Sequence, residues 1–323
     1  MDALSYLSQA SPQSAQHLKY RLPEKPILLL TLTVEHGASN KKALLQQYSL
    51  PKDSVLNRLD CISANSEACL ILVTVWQDDD DRIFCSSDTF SSLVTKLGIN
   101  QAYMYPHVTG LHGFFQASNK RGSGGQTFVL GTVSFTAIWR FEPSDSSTKC
   151  LLLCSEQTNT RLELLPTRLF PVLEAIRERG NDSRLLPFAL AAVLLDRMVK
   201  RLRARSVSIR GAELVAGYGF APNLTPLRYE IDELIHISRV ANKIMSSTAS
   251  SRRYAEWINS LLNHCRAHQS EEGDMAEAVR ILESYLRAAL TSMSFLESRA
   301  KNLSSVVSGR HITFPLFSCA TIH

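Results

Sequence analysis

MAEAVRILESYLRAALTSMSFLESRAKNLSSVV, residues 275–307, decides the architecture of this chain. Counted alternately four and three residues apart, Met275, Val279, Leu282, Leu286, Ala289, Met293, Leu296, Ala300, Leu303 and Val307 fall in one row with no polar member. A 3.5-residue period held for that long keeps a narrow apolar seam turned toward a partner helix. Ser308 and Gly309 are expected to stop the rod, which at about 1.5 Å per residue is roughly 50 Å long. Such a seam is built to be covered by other helices and carries no group suited to chemistry.

Working outward, the segments before the rod are also helical. Residues 169–179 and 184–205 read as helices, the second with Pro187 in its first turn, where a missing N–H is harmless. Residues 211–226 hold three glycines and two prolines and read as a connection. Residues 227–268 read as one long helix or two, with the apolar phase slipping and a kink expected across 246–251. A polar turn at 269–274 then lays the rod antiparallel on its predecessor.

The first half has a different texture. Residues 1–22 form a polar arm. The apolar run 27–34 predicts a buried strand, and 40–48 predicts a short helix capped by Asn40 and ended by Pro51. Residues 69–76, rich in β-branched side chains, are the clearest strand, followed by a short helix over 89–97. Two extended runs, 111–116 and 127–141, flank a glycine-rich hairpin loop. The second run does not alternate, which burial on both faces or a bulge at Gly131 explains. Residues 149–154, with three leucines, give a last strand. The fold expected is α+β: an arm over 1–22, a mixed β-sheet with short helices over 23–168, a long-helix domain over 169–307 and a tail over 308–323.

Composition fits a globular chain of two domains, since 45% of the 323 residues are hydrophobic and 20% charged. The seven cysteines form no CxxC pair, and the first residues have neither the charge nor the apolar stretch of a secretory signal. A reducing, cytoplasmic location is therefore expected. The longest uncharged apolar run, 185–195, is too short for about 30 Å of hydrocarbon, so no transmembrane span is expected.

Candidate chemistry is sparse. Asp78, Asp79, Asp80 and Asp81 could hold a divalent cation, but Arg82 stands where a third acid is needed, so a solvated turn is the reading. His264 and His268 are one turn apart without the glutamate of a zinc-hydrolase helix, and Cys150 and Cys154 have strand spacing suited to a core. Gly122, Ser123, Gly124 and Gly125 lack the ending of a phosphate loop. Arg184, Arg197, Lys200, Arg201, Arg203, Arg205 and Arg210 are accompanied by one acid, Asp196, yet form no single stripe and have no aromatic residues for stacking bases. No nucleic-acid partner is expected. A solvated helix end is the plainer reading, and peripheral contact with an acidic membrane surface the other. No catalytic, cofactor-binding or metal-binding residue is assigned.

FLESRAKNLSSVV, residues 295–307, resembles the helix that leads into the membrane in fungal proteins similar to CorA-type magnesium transporters. There a leucine, an arginine and an asparagine precede small apolar residues. The order of a strand pair ending in 134–141, a leucine-rich strand and then long antiparallel helices is also similar, and the likeness covers about 105–307. The resemblance implies a cytosolic α/β domain and a stalk helix assembling as a pentamer, and it alone brings in divalent-cation sensing with Mg²⁺ as the ion; the residues themselves name no cofactor. This sequence has no Gly-Met-Asn signature and no membrane span, so it looks like the soluble part alone, truncated or reused. The function expected is that of a non-enzymatic protein meeting a second copy or another helical protein through its long helices. The alternative is an enzyme or auxiliary protein of fungal specialised-metabolite biosynthesis whose site the spacing does not reveal.

Overall fold

The computed structural model describes residues 18–36, 41–65, 68–78, 80–117, 125–155, 165–179, 182–216, 231–267 and 274–311. The fold is α+β, with a mixed sheet first and long helices after it. Two compact units are present: Met1–Val193 with Ser260–His268, and Leu194–Asn259 with Gln269–His323. Most of the arm, the glycine-rich hairpin tip, much of the 211–226 connection, the expected turn up to 273 and the tail beyond His311 lie outside the described residues.

Among the described residues the first unit has nine strands: β1 (Lys19–Tyr20), β2 (Ile27–His36), β3 (Lys41–Leu50), β4 (Ala68–Gln77), β5 (Arg82–Ile83), β6 (Gly113–Ala117), β7 (Gln126–Gly131), β8 (Phe135–Glu142) and β9 (Ser147–Ser155). Their order is β1-β5-β4-β9-β8-β7-β6, with β2 also on β4 and β3 on β2. β1–β5 and β4–β9 are parallel and the other pairs antiparallel. Both central strands are covered on both faces, which is why their sequences are continuous apolar runs.

On one face Ile71, Val73, Val75, Ile138, Leu151 and Leu153 pack with Val55 and Leu59 of α1 (Lys52–Asn65) and with Phe90, Leu93 and Val94 of α2 (Ser87–Lys96). On the other, Leu72, Cys150 and Leu152 are equally buried, and the rings of Phe114, Phe128 and Trp139 stack in a row. A one-turn α3 (Tyr105–Val108) and α4 (Leu165–Ala175) complete the short helices.

Three local expectations are corrected here. The segment 40–48, expected as a helix, is strand β3 from Lys41 on, paired in register along β2. Its lysine, leucine and glutamine content favours helix in isolation, but the ladder to β2 overrides that preference. Helix α1, directly after Pro51, was not anticipated. The extended run 127–141 is two strands, β7 and β8, with unbroken register from Gln126–Phe141 to Gly131–Thr136. The turn between them is tied by Thr132, whose hydroxyl accepts from the N–H groups of Ser134 (3.3 Å) and Phe135 (3.0 Å). Gly131 marks a close approach: a Cβ there would lie 2.5 Å from the carbonyl oxygen of Leu111.

The second unit is made from α5 (Leu185–Val215), α6 (Ile231–Ala267) and α7 (Asp274–His311), apart from the ends of α5 and α6 that belong to the first unit. Helix α5 continues through Gly211, where a connection was expected. Helix α6 is uninterrupted across 246–251, where a kink was expected: Thr248 and Ser251 are buried. The hydroxyls of Thr248, Ser250 and Ser251 donate to the carbonyls of Met245, Ser246 and Ser247 at 2.9, 3.2 and 2.9 Å, so small hydroxyl residues are absorbed within the helix. Helix α7 passes Gly309 and ends at His311, giving a rod of about 57 Å.

Candidate functional site

Asp78 ends β4 and is buried. Its Oδ1 accepts from the backbone N–H groups of Asp80 (3.0 Å) and Arg82 (2.9 Å), and its Oδ2 from Arg21 Nη1 (2.8 Å) and Arg82 Nε (2.9 Å). Burial pushes the carboxyl pKa up, but these four donors outweigh it and hold it at about 2. The acidic run is therefore only in part the solvated turn expected. Asp80 and Asp81 are exposed, Asp79 lies outside the described residues, and Asp78 is the clasp that closes the turn. Asp81 takes the left-handed conformation, φ 58°.

Further buried polar groups surround the carboxyl ends of β4 and β9. Gln77 pairs with Ser155 across the two strands, and His107 Nδ1 lies 3.1 Å from Thr136 Oγ1. Burial lowers the His107 pKa, with Asp81 opposing. Its Nε2 and the Oε1 of Gln77 meet no partner among the described residues.

The remaining sequence candidates are scattered. His264 is buried with its ring edge on Phe128 at 4.6 Å between centroids, and His268 lies outside the described residues. Cys150 and Cys154 sit in the sheet core, as their spacing suggested. Burial pushes the thiols of Cys69 to about 11 and of Cys85 and Cys265 to about 12, and raises Cys150 as well, so these sulfurs stay protonated at neutral pH. Of the glycine-rich loop only Gly125 is described, and its bare Cα makes room for the Arg140–Glu142 pair. No group of three His, Cys, Asp or Glu side chains that could hold a metal occurs among the described residues.

The basic run is divided: Arg184 pairs with Asp182 (2.6 Å), Lys200 with Asp196 (3.0 Å), Arg201 covers the Tyr254 ring, and Arg197 is buried. Arg203 and Arg210 are exposed. No described helix is long and apolar enough to cross a membrane.

The second unit offers a more coherent surface. The heptad seam of α7 is covered as expected, with nine of its ten positions buried and Leu282 half-buried. Ion pairs hold the rod to its neighbours. Arg252 of α6 donates to Glu297 at 3.1 and 2.5 Å, and Arg299 donates to Glu213 of α5, Nε to Oε1 at 2.7 Å. Beside the seam runs a second row with the same spacing, Ile281, Tyr285, Ala288, Ser292 and Phe295. It faces outward: Ile281 is 49%, Tyr285 61% and Phe295 63% exposed.

A groove of about 360 Å³ separates this row from α5, lined by Val199, Leu202, Arg203 and Ser206 on one wall and by Tyr285, Ala288, Ala289, Ser292, Phe295 and Leu296 on the other. Val207 and Leu214 of α5 are 73% and 68% exposed, on the same side of that helix as Arg203 by helical spacing. Sequence reasoning missed the groove because the seam claimed the period. The signal was present: Tyr285 and Phe295, large and aromatic, keep the seam's spacing one position to its side. Chemically the groove can bury apolar side chains and meet a negative charge at Arg203. No protein-family model matches this chain, and no curated protein matches it.

Proposed function

We propose that this protein is a non-catalytic, cytoplasmic assembly part whose helical unit takes up a further helix, from a second copy or from another protein. The observation that carries this reading is the outward heptad row of Ile281, Tyr285 and Phe295 on a helix whose seam is already filled. Large apolar side chains repeated along a rod mark a surface meant to be covered. The absence of any disulfide among the described cysteines suits the reducing compartment. A sheet unit followed by long helices is also the order that the likeness to the soluble part of CorA-like transporters leads one to expect, and Mg²⁺ sensing enters with that likeness alone.

Sedimentation velocity over a concentration series, with helical peptides added at fixed protein, tests the proposal. The chain should associate with itself or with a peptide, and Tyr285→Asp and Phe295→Asp should abolish association with the circular dichroism spectrum unchanged. A chain that stays monomeric throughout and binds no helical peptide ends it. Mg²⁺ titration followed by thermal melting tests the inherited part: an unchanged melting temperature removes ion sensing.

A further inference from the structure

We infer that the groove between α5 and α7 receives an acidic amphipathic helix of another protein, its apolar stripe on Tyr285 and Phe295 and its carboxylates on Arg203 and Arg210. The inference rests on the docking role just proposed and names the partner's chemistry.

The shape comes first. Tyr285 and Phe295 are ten residues apart on α7, about 15 Å along the axis, so the apolar wall is long and suits a rod better than a compact ligand. Between them stand Ala288 and Ser292, with Ser206 also in the lining, and side chains this small let a helix backbone come close. This is the helix-in-groove arrangement, in which small residues permit approach and large ones at the ends fix the register.

The charge decides what kind of helix. Among the described residues that line the groove, Arg203 is the one that carries a charge at neutral pH. Arg210 follows two turns later on the same side of α5, about 10 Å away. Neither arginine has an ion-pair partner among the described residues. The nearby carboxylates are engaged elsewhere, Asp196 with Lys200 and Glu213 with Arg299. That side of α5 therefore presents two cations at heptad spacing, Arg203 in the lining and Arg210 beyond its end, which an occupant with acids seven residues apart along one edge would match.

A second copy using the same face would add the same two cations to the contact, while the neighbouring carboxylates Asp196 and Glu213 are already paired within their own chain, so it lacks the negative edge that these arginines call for. A flat lipid surface could meet the outward row but not the buried Ala289 and Leu296 behind it.

The test uses the full chain and two fluorescein-labelled three-heptad peptides with the same leucine stripe, one with glutamates along one edge and the other with lysines there. Fluorescence anisotropy should show the glutamate peptide binding at least tenfold more tightly. The double variant Arg203→Glu, Arg210→Glu, checked for unchanged circular dichroism, should reverse that preference. Equal binding of both peptides, lost in Phe295→Asp, would overturn the acidic partner while leaving the docking role intact. Binding of neither peptide by a chain that stays monomeric would overturn both. Capture by phosphatidylserine vesicles that depends on Arg203 and Arg210, with no preference between peptides, would make the face a membrane surface and overturn the inference.

Discussion

The two units differ in how they arrange the large apolar side chains they leave exposed. The sheet unit takes polar groups inside, Asp78, Gln77, His107, Thr136 and Ser155 among them, and its exposed large apolar residues, Leu22, Leu44, Leu111 and Val133, stand singly at turns and edges. The helical unit buries its seam and still leaves Ile281, Tyr285 and Phe295 on α7, and Val207 and Leu214 on α5, in ordered rows outside. Isolated apolar residues on a surface need no explanation, whereas rows of them do. The sheet unit holds these polar groups inside, whereas the helical unit leaves part of its apolar surface exposed in rows. Function is therefore sought on the helices, although the more reactive side chains lie in the sheet.

The contrast can be broken at its strongest point by Leu296→Asp. That side chain is buried in the seam, and an unpaired carboxylate there should cost about 4 kcal/mol or more, read as loss of helical signal and a collapsed melt. An unchanged melt would show that the seam does not hold the helical unit together. In the sheet unit Asp78→Asn should cost about 2 kcal/mol at neutral pH. The sign follows from the folded carboxyl sitting at about 2, below its unfolded value near 3.9. Stability from Asp78 is full above pH 4 and disappears as pH falls toward 2, so acid titration of urea unfolding should lose that limb in the Asn variant. Gly131→Ala should cost about 1–3 kcal/mol, because its Cβ would meet the Leu111 carbonyl.

His107 gives a gentler slope. Its folded pKa lies below the ordinary 6.5, so the unfolded chain takes up the proton first and stability declines as pH drops below about 6.5. His107→Asn should flatten that part of the urea midpoint against pH. The smallest effect sharpens the comparison most: Phe295→Asp, next to Leu296, should change stability by no more than about 0.5 kcal/mol while removing association.

How far the sequence was legible depended on whether local preference and tertiary pairing agreed. Residues 69–76 are β-branched and central in the sheet, so both pointed to strand β4. The rod was legible because its period extends over the whole element. Residues 41–50 were misread because lysine, alanine, leucine and glutamine prefer helix, and only the ladder to β2, distant information for a local reading, makes them a strand. Helix α1 was missed although Val55 and Leu59 stand one turn apart, since Asp53, Ser54, Asn57 and Asp60 around them weaken the helical signal. The acidic run showed its charge but not the reach of Arg21 across the chain to Asp78. The groove was half legible: its α7 wall is a periodic row, but its α5 wall is contributed by a helix remote in sequence.

The parallel pairing of β4 with β9 has a kinetic consequence. Leu70 finds its neighbour only when Thr148 has been synthesised, and two hairpins, β2–β3 and β6–β7–β8, can form before then on either side of the missing join. A nascent chain would thus carry the apolar edge of β4 open while most of the sheet is still being made, an interval in which it invites mispairing. Pulse-labelled hydrogen exchange on refolding should find β4 amides protected late, together with those of β9.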